Sequence, residues 1–322
     1  MTQPLFQTLL VEDMAEVDRV IRARLHSEVA LVRQVSEYII HSGGKRLRPA
    51  LVVMAAKALG YQGGHHHEMA AVVEFIHTAT LLHDDVVDSS EMRRGRDTAN
   101  TLFGNAASVL VGDFLYSRAF QMMVGVHNMR VMEVLSEATN IIAEGEVLQL
   151  MNCNDPDIDE SAYLQVIRYK TAKLFEAAGR LGAIVNGEPR EVEDALGRYG
   201  MHLGTAFQIV DDVLDYSGDS DITGKNVGDD LTEGKPTLPL LFAMKHGRPE
   251  DAAVIRNAIL EGEARDFQRI LAIVRETGAL DHAHKQAEAE AAQARQALDV
   301  LPDSQYKVAL LELTTFAVAR DH

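Results

Sequence analysis

The sequence predicts an all-α protein, a single large bundle of antiparallel helices formed by residues 1–322. Apolar residues recur every three or four positions along almost the whole chain, the spacing that gathers them on one helix face. Composition agrees: Ala, Leu, Glu and Met abound, Pro occurs only 8 times and Trp is absent. Strand-like alternation never runs long enough to compete. With 322 residues and 47% hydrophobic content the chain can bury a large core. Nothing divides it: there is no Ser/Gly-rich linker, no Pro cluster and no internal repeat of about 20–50 residues.

The helices can be read in order. Leu10, Met14, Val17, Ile21 and Leu25 make an amphipathic first helix, and Val29 to Ile40 a second, stopped by His41-Ser42-Gly43-Gly44. A third starts after Pro49 and ends at Leu59-Gly60. The fourth, 68–88, is apolar nearly all round, as a central buried helix should be. Further helices are predicted over 106–127, 129–152, 159–186, 189–216, 236–247, 249–261, 264–277, 279–300 and 303–320. The stretches 154–157, 186–189 and 217–234 are rich in Asn, Asp, Gly and Pro and read as loops.

Charge and cysteine usage exclude several classes. Formal charge is −17, from 48 acidic against 31 basic residues, which argues against nucleic acid or an anionic membrane as main partner. The single Cys153 excludes an intrachain disulfide and a thiolate-rich metal site, and fits a reducing cytoplasm. Met1-Thr2-Gln3-Pro4 does not open a signal peptide, and no apolar run reaches the length of a membrane span.

The informative feature is one five-residue acidic cluster met twice, Asp84-Asp85-Val86-Val87-Asp88 and Asp211-Asp212-Val213-Leu214-Asp215. Each follows an apolar helical run. On a helix the first and last Asp of a cluster lie four residues apart on one face, where like charges repel. Cations would relieve that cost. Hard carboxylate oxygens select Mg²⁺, which binds through one or two carboxylates together with substrate phosphates. Asp84, Asp88, Asp211 and Asp215 are therefore the expected metal ligands, and two such walls facing one another would hold a diphosphate. Basic residues follow each cluster: Arg93 and Arg94 after the first, Lys225 and Lys235 after the second. Arg forks and Lys point charges both bind phosphate oxygens.

Other residues converge on the same chemistry. Gly43-Gly44-Lys45-Arg46-Leu47-Arg48-Pro49 sets a glycine pair and three cations before a helix, an arrangement that suits an anion. His77 lies two turns before Asp84 on roughly the same face. Lys170 and Thr171 fall mid-helix, where a buried cation needs an anionic partner. Gln208 is one turn before Asp211, and the segment 221–235 has the composition of a closing lid.

Seven segments together resemble the trans-isoprenyl diphosphate synthases. They are GGKRLRP at 43–49, HDDVVDSSEMRRG at 83–95, GEVLQL at 145–150, YKTA at 169–172, FQIVDDVLD at 207–215, TGKN at 223–226 and GKPTLP at 234–239. VLVGDFLYSRAFQMM and AEGEVLQLMN resemble most the octaprenyl-forming branch in bacteria. The resemblance covers nearly the whole chain and implies the isoprenoid synthase fold, with a central cavity, in a homodimer. It implies an allylic diphosphate, farnesyl diphosphate above others, on three Mg²⁺ held by Asp84, Asp88 and Asp211. Arg93, Lys170, Thr171, Gln208, Lys225 and Lys235 would assist. Isopentenyl diphosphate would bind without metal at Lys45, Arg48, His77 and Arg94. Head-to-tail condensation would build a long polyprenyl chain for respiratory quinones, handed on to membrane enzymes. A shorter or longer product, and a non-catalytic partner subunit of a heteromeric synthase, are the alternatives. A terpene cyclase would not be expected to keep the second cluster, GGKRLRP and the arginine pair together.

The expected product length rests on the residues above Asp84. Short-chain relatives carry bulky aromatics four and five positions before that Asp. Here Thr80 and Ala79 stand there, with Ile76 one turn further, so the path for a growing tail is open. A long product, most of all one of eight isoprene units, follows.

Overall fold

The computed structural model describes residues 4–41, 43–216, 228–262 and 265–319. The described chain is almost entirely helical. In order come α1 (Leu5–Leu9), α2 (Val11–Arg24), α3 (Ala30–His41), α4 (Leu47–Ala58) and α5 (His65–Val87). A two-stranded hairpin, β1 (Met92–Arg93) and β2 (Arg96–Asp97), separates these from α6 (Ala99–Phe103), α7 (Asn105–Gly125) and α8 (Met129–Asn152). Then follow α9 (Glu160–Ile167), a π-helical turn (Arg168–Ala172), α10 (Lys173–Asn186) and α11 (Arg190–Leu214). The last helices are α12 (Asp229–Thr232), α13 (Leu238–His246), α14 (Pro249–Glu261), α15 (Phe267–Glu276), α16 (Ala279–Ala297) and α17 (Gln305–Val318).

Helix ends follow local chemistry. The Asp159 side chain accepts the Ala162 N–H at 2.8 Å and so caps α9. Pro249 opens α14, where its missing N–H costs nothing, and Gly262 closes it in the left-handed region. Short helices α1 and α6 were not among those expected, and three further features depart from the sequence reading. The segment expected as one helix over 159–186 is interrupted by the π-turn. Within the expected loop 217–234, residues 229–232 form α12, whereas 217–227 lie outside the described residues. The hairpin was not expected, because two-residue strands carry no alternation. Its turn, Arg94-Gly95, has positive φ at both positions (54° and 72°), as a tight type I′ hairpin requires.

The chain divides into two compact units. The first comprises Met1–Thr139, Leu174–Gly200 and Ala297–Leu313, and the second Asn140–Lys173, Met201–Gln296 and Thr314–His322. All five crossings fall inside helices, α8, α10, α11, α16 and α17, so no linker composition marks them. In the first unit α5 packs on α7, α4 and α2. Val72, Val73, Phe75, Ile76, Ala79 and Leu82 along α5 are fully buried, which explains its apolar circumference. In the second unit Ala283, Ala287 and Ala291 of α16 meet Tyr163, Ile167, Ala206, Ile209, Val210 and Val213 in one core. Small residues spaced four apart keep one helix face flat enough for that contact.

Candidate active site

In the first unit the first acidic cluster forms the C-terminal turn of α5. Asp84 and Asp88 are half-buried, and the Asp88 N–H donates to the Asp84 carbonyl at 2.8 Å. Asp85, a residue the sequence reading passed over, points inward and is fully buried. Its Oδ1 accepts from Arg93 Nε at 2.7 Å and Nη2 at 2.6 Å. Burial pushes the Asp85 carboxyl up against the opposing pull of Arg93. Asp85 Oδ2 is buried with no hydrogen-bond partner among the described residues.

The basic residues of this unit collect beside it. Arg94 Nη1 donates to the Gly43 carbonyl. A Cβ on Gly44, whose φ is +143°, would lie 2.6 Å from that guanidinium. The glycine pair thus lets the hairpin arginine reach the entrance of α4. Arg48 donates to His77 Nε2 at 3.3 Å and lies 4.3 Å from the centre of the Phe175 ring. Burial first, then the charges of Arg48, Arg94, Arg93 and Arg46, hold the His77 imidazole well below its ordinary value. A neutral His77 accepting from Arg48 is protonated on Nδ1. Arg46, by contrast, pairs with Asp18 and Glu74, both at 3.3 Å, and fixes the start of α4. Lys45 is exposed. Of the expected chain-length residues, Ile76 and Ala79 are fully buried, and half-buried Thr80 donates to the His77 carbonyl at 2.9 Å.

In the second unit the corresponding cluster ends α11. Asp211 is half-buried. Asp212 points inward, where its Oδ2 accepts from the Tyr163 hydroxyl at 2.6 Å and its Oδ1 from Gln208 Nε2 at 2.9 Å. Burial and the nearby Asp230 charge drive the Asp212 carboxyl well up, opposed by those two hydrogen bonds. Gln208 Oε1 in turn accepts from Thr171 at 2.9 Å. Gln208, expected beside Asp211, is therefore tied to Asp212. Thr171 lies in the π-turn, as does Lys170, whose Nζ meets Glu146 Oε2 at 2.5 Å. That pair supplies the anionic partner a half-buried lysine needs. Gly145 makes room for it: a Cβ there would lie 2.7 Å from the Lys170 backbone nitrogen.

Asp215 is the fourth of the expected metal ligands. It is buried, and its two oxygens accept the N–H groups of Gly228 at 3.1 Å and Asp230 at 3.3 Å. It thereby holds the chain at the start of α12. Lys235 follows that segment, with its N–H on the Asp230 carbonyl at 2.8 Å and its ammonium on Glu233. Lys225 lies outside the described residues.

Both clusters stand at helix C-termini with no basic residue in the last turn. The partial negative charge of a helix end disfavours carboxylates there by about 0.3–1 kcal/mol each. Two half-buried carboxylates and an orphaned buried oxygen at such an end form a hard-oxygen donor set that fits a divalent cation. Asp85, Asp212, Tyr163 and Glu146 are the residues sequence reasoning missed. The available signal was geometric: the middle Asp lies about 100° round the helix from the first, and so faces the core.

Residues 29–276 match the polyprenyl synthetase family. The chain is 56% identical to the octaprenyl diphosphate synthase of Escherichia coli (strain K12), over 97% of both chains. It is 53% identical to that of Haemophilus influenzae, over 98% of this chain and 96% of the other. A crystal structure of a polyprenyl synthase from Caulobacter crescentus CB15, complexed with calcium and isoprenyl diphosphate, superposes with a TM-score of 0.95. It is 45% identical, and the match covers 100% of both chains. The chain belongs to the polyprenyl synthetase family, and the all-α fold read from its helical periodicity is that of its relatives.

Proposed function

We propose that the chain is a long-chain all-trans polyprenyl diphosphate synthase that adds isopentenyl diphosphate units to an allylic diphosphate, ending at octaprenyl diphosphate. The observation that carries this reading is the repeated acidic cluster, which ends a long helix in each unit and sets half-buried carboxylates, Asp84 and Asp88 in one and Asp211 in the other, at its negative end. The octaprenyl diphosphate synthases to which the chain is similar point to the same activity. In this reading Asp84, Asp88 and Asp211 are the metal ligands, and Asp215 holds the chain at 228–230. Divalent cations, three Mg²⁺ here, would neutralise the charge developing on the departing diphosphate.

The residues divide the remaining work. In this reading Lys170, held by Glu146, Thr171 and Gln208, held through Asp212, and Lys235 bind the allylic diphosphate, with Arg93 and Lys225 assisting. Arg48, Arg94, neutral His77 and exposed Lys45 receive isopentenyl diphosphate, a dianion or trianion that the four guanidiniums around His77 attract. The allylic C1–O bond breaks and its electron pair leaves with the diphosphate. The isopentenyl double bond then forms the new C–C bond at C1, and loss of a proton restores an alkene five carbons longer. A dry apolar surround would protect the allylic cation from water. Farnesyl diphosphate is the primer we favour. A cytoplasmic homodimer that passes its product to membrane enzymes of quinone synthesis completes the reading. No helix among the described residues is long and apolar enough to cross a membrane.

Asp84→Ala and Asp211→Ala test the assignment. Each should cut turnover at least about a hundredfold, roughly 2.7 kcal/mol of transition-state stabilisation, with helical content unchanged by circular dichroism. Near-normal turnover in either folded variant would reject it.

A further inference from the structure

A second cluster of ligating side chains lies at the opposite end of α5 from Asp84. The first turn of α5 carries His66 and His67, and both rings turn toward Asp13 of α2. His67 Nε2 is 2.8 Å and His66 Nε2 is 3.5 Å from the same oxygen, Asp13 Oδ1. Consecutive helical residues normally diverge by about 100°. Here the two imidazole centres are only 3.8 Å apart and the rings are inclined by 36°. All three donor atoms lie within 4.8 Å of one another. His66 is 1% exposed, packed edge-on against Tyr61 at 5.3 Å, and its Nδ1 has no hydrogen-bond partner among the described residues. Asp13 and His67 keep slight exposure, which leaves a route for an ion and a water.

We propose that Asp13, His66 and His67 form a second divalent-metal site, separate from the carboxylate clusters, that takes Zn²⁺ or a neighbouring late first-row cation and staples α2 to the start of α5. Two imidazole nitrogens and one carboxylate oxygen are the borderline donor set these cations choose, and Mg²⁺ does not. Three protein ligands leave a fourth position for water. Eighteen residues separate His66 from Asp84 on α5, about 27 Å of helix, so the site is remote from the condensation chemistry.

One contact opposes the metal. Lys57, in the last turn of α4, places its ammonium 3.3 Å from Asp13 Oδ1. Its side chain is a quarter exposed, so it can swing to solvent when a cation takes the oxygen. The ammonium is then a competitor, and removing it should strengthen the site.

The test uses the full-length protein, stripped with a chelator and titrated with ZnCl₂ in excess MgCl₂, followed by calorimetry. One zinc should bind with about micromolar affinity or better and raise the melting temperature by several degrees. His67→Gln and Asp13→Asn should each weaken that binding at least about tenfold. Lys57→Met should tighten it, and the condensation rate of His67→Gln in Mg²⁺ should equal that of the wild type. Copper(II) in place of zinc should show two-nitrogen hyperfine structure in wild type and one in His67→Gln. Absence of binding at about 100 µM zinc overturns the proposal. So does a wild-type zinc isotherm in folded His67→Gln, or weaker binding in Lys57→Met. If a ligand variant fails to fold, the wild-type stoichiometry and the Lys57→Met isotherm decide.

Discussion

Asp85 and Asp212 hold equivalent places in the two acidic clusters, yet the protein fixes them by different means. Arg93 forks onto one oxygen of Asp85, while Tyr163 and Gln208 share Asp212. The type and spacing of the outer acids are legible in the sequence because four residues define one helix face. The partners of the middle acids are not, since Tyr163 and Arg93 reach them through tertiary contacts. His77 shows what such surroundings do to a single group. Its ordinary value is 6.5, and burial among guanidinium charges places it well below that in the folded state. Below about pH 6.5 the unfolded chain therefore binds a proton that the folded one does not, so His77 costs stability as pH falls through that value. NMR of the His77 ring should find it neutral at pH 6. Inorganic diphosphate, by neutralising the arginine field, should move its titration upward. A ring titrating near 6.5 and indifferent to diphosphate would contradict the pocket described around it.

The π-turn at 168–172 is an element that periodicity could not reveal, because one extra residue per turn leaves the apolar pattern of 159–186 nearly intact. What the sequence did display was its consequence, Lys170 and Thr171 in an apolar helix and Gly145-Glu146 in another. The glycine has a steric reason: α8 approaches the turn so closely that a methyl group would meet the backbone of Lys170. Backbone cannot yield as a side-chain tip can. Gly145→Ala should destabilise the fold by about 1–3 kcal/mol and lower kcat by loosening the Lys170–Glu146 pair. Thermal unfolding and initial rates check both, and wild-type values in each would remove the reason given for the glycine. The hairpin at 92–97 teaches a similar point. Its strands are too short to alternate, but Arg94-Gly95 was a readable turn signal, and the turn delivers Arg93 to Asp85 and Arg94 to Gly43.

For the whole molecule, helix order and nearly every boundary were readable because amphipathic periods dominate the chain. The crossings between the two compact units run through helices and leave no mark in composition. Assembly belongs to this scale. The inner face of α7 buries Val111, Leu115, Met122 and Met123, while Val109, Leu110 and Val124 stay exposed, Leu110 at 67%. Such an apolar outer face fits a two-fold partner surface. Sedimentation at micromolar concentration should give a dimer, and a monomer would contradict that reading. Product length tests the central claim. The purified protein, given farnesyl diphosphate, isopentenyl diphosphate and Mg²⁺, should yield a product of eight isoprene units by mass. Buried Ala79 carries no bulk to halt a growing tail, so Ala79→Tyr should keep condensing but stop at roughly C15 to C20, since close-packed interiors leave no spare room. No condensation by the wild type, or a wild-type product no longer than that of Ala79→Tyr, would contradict the account.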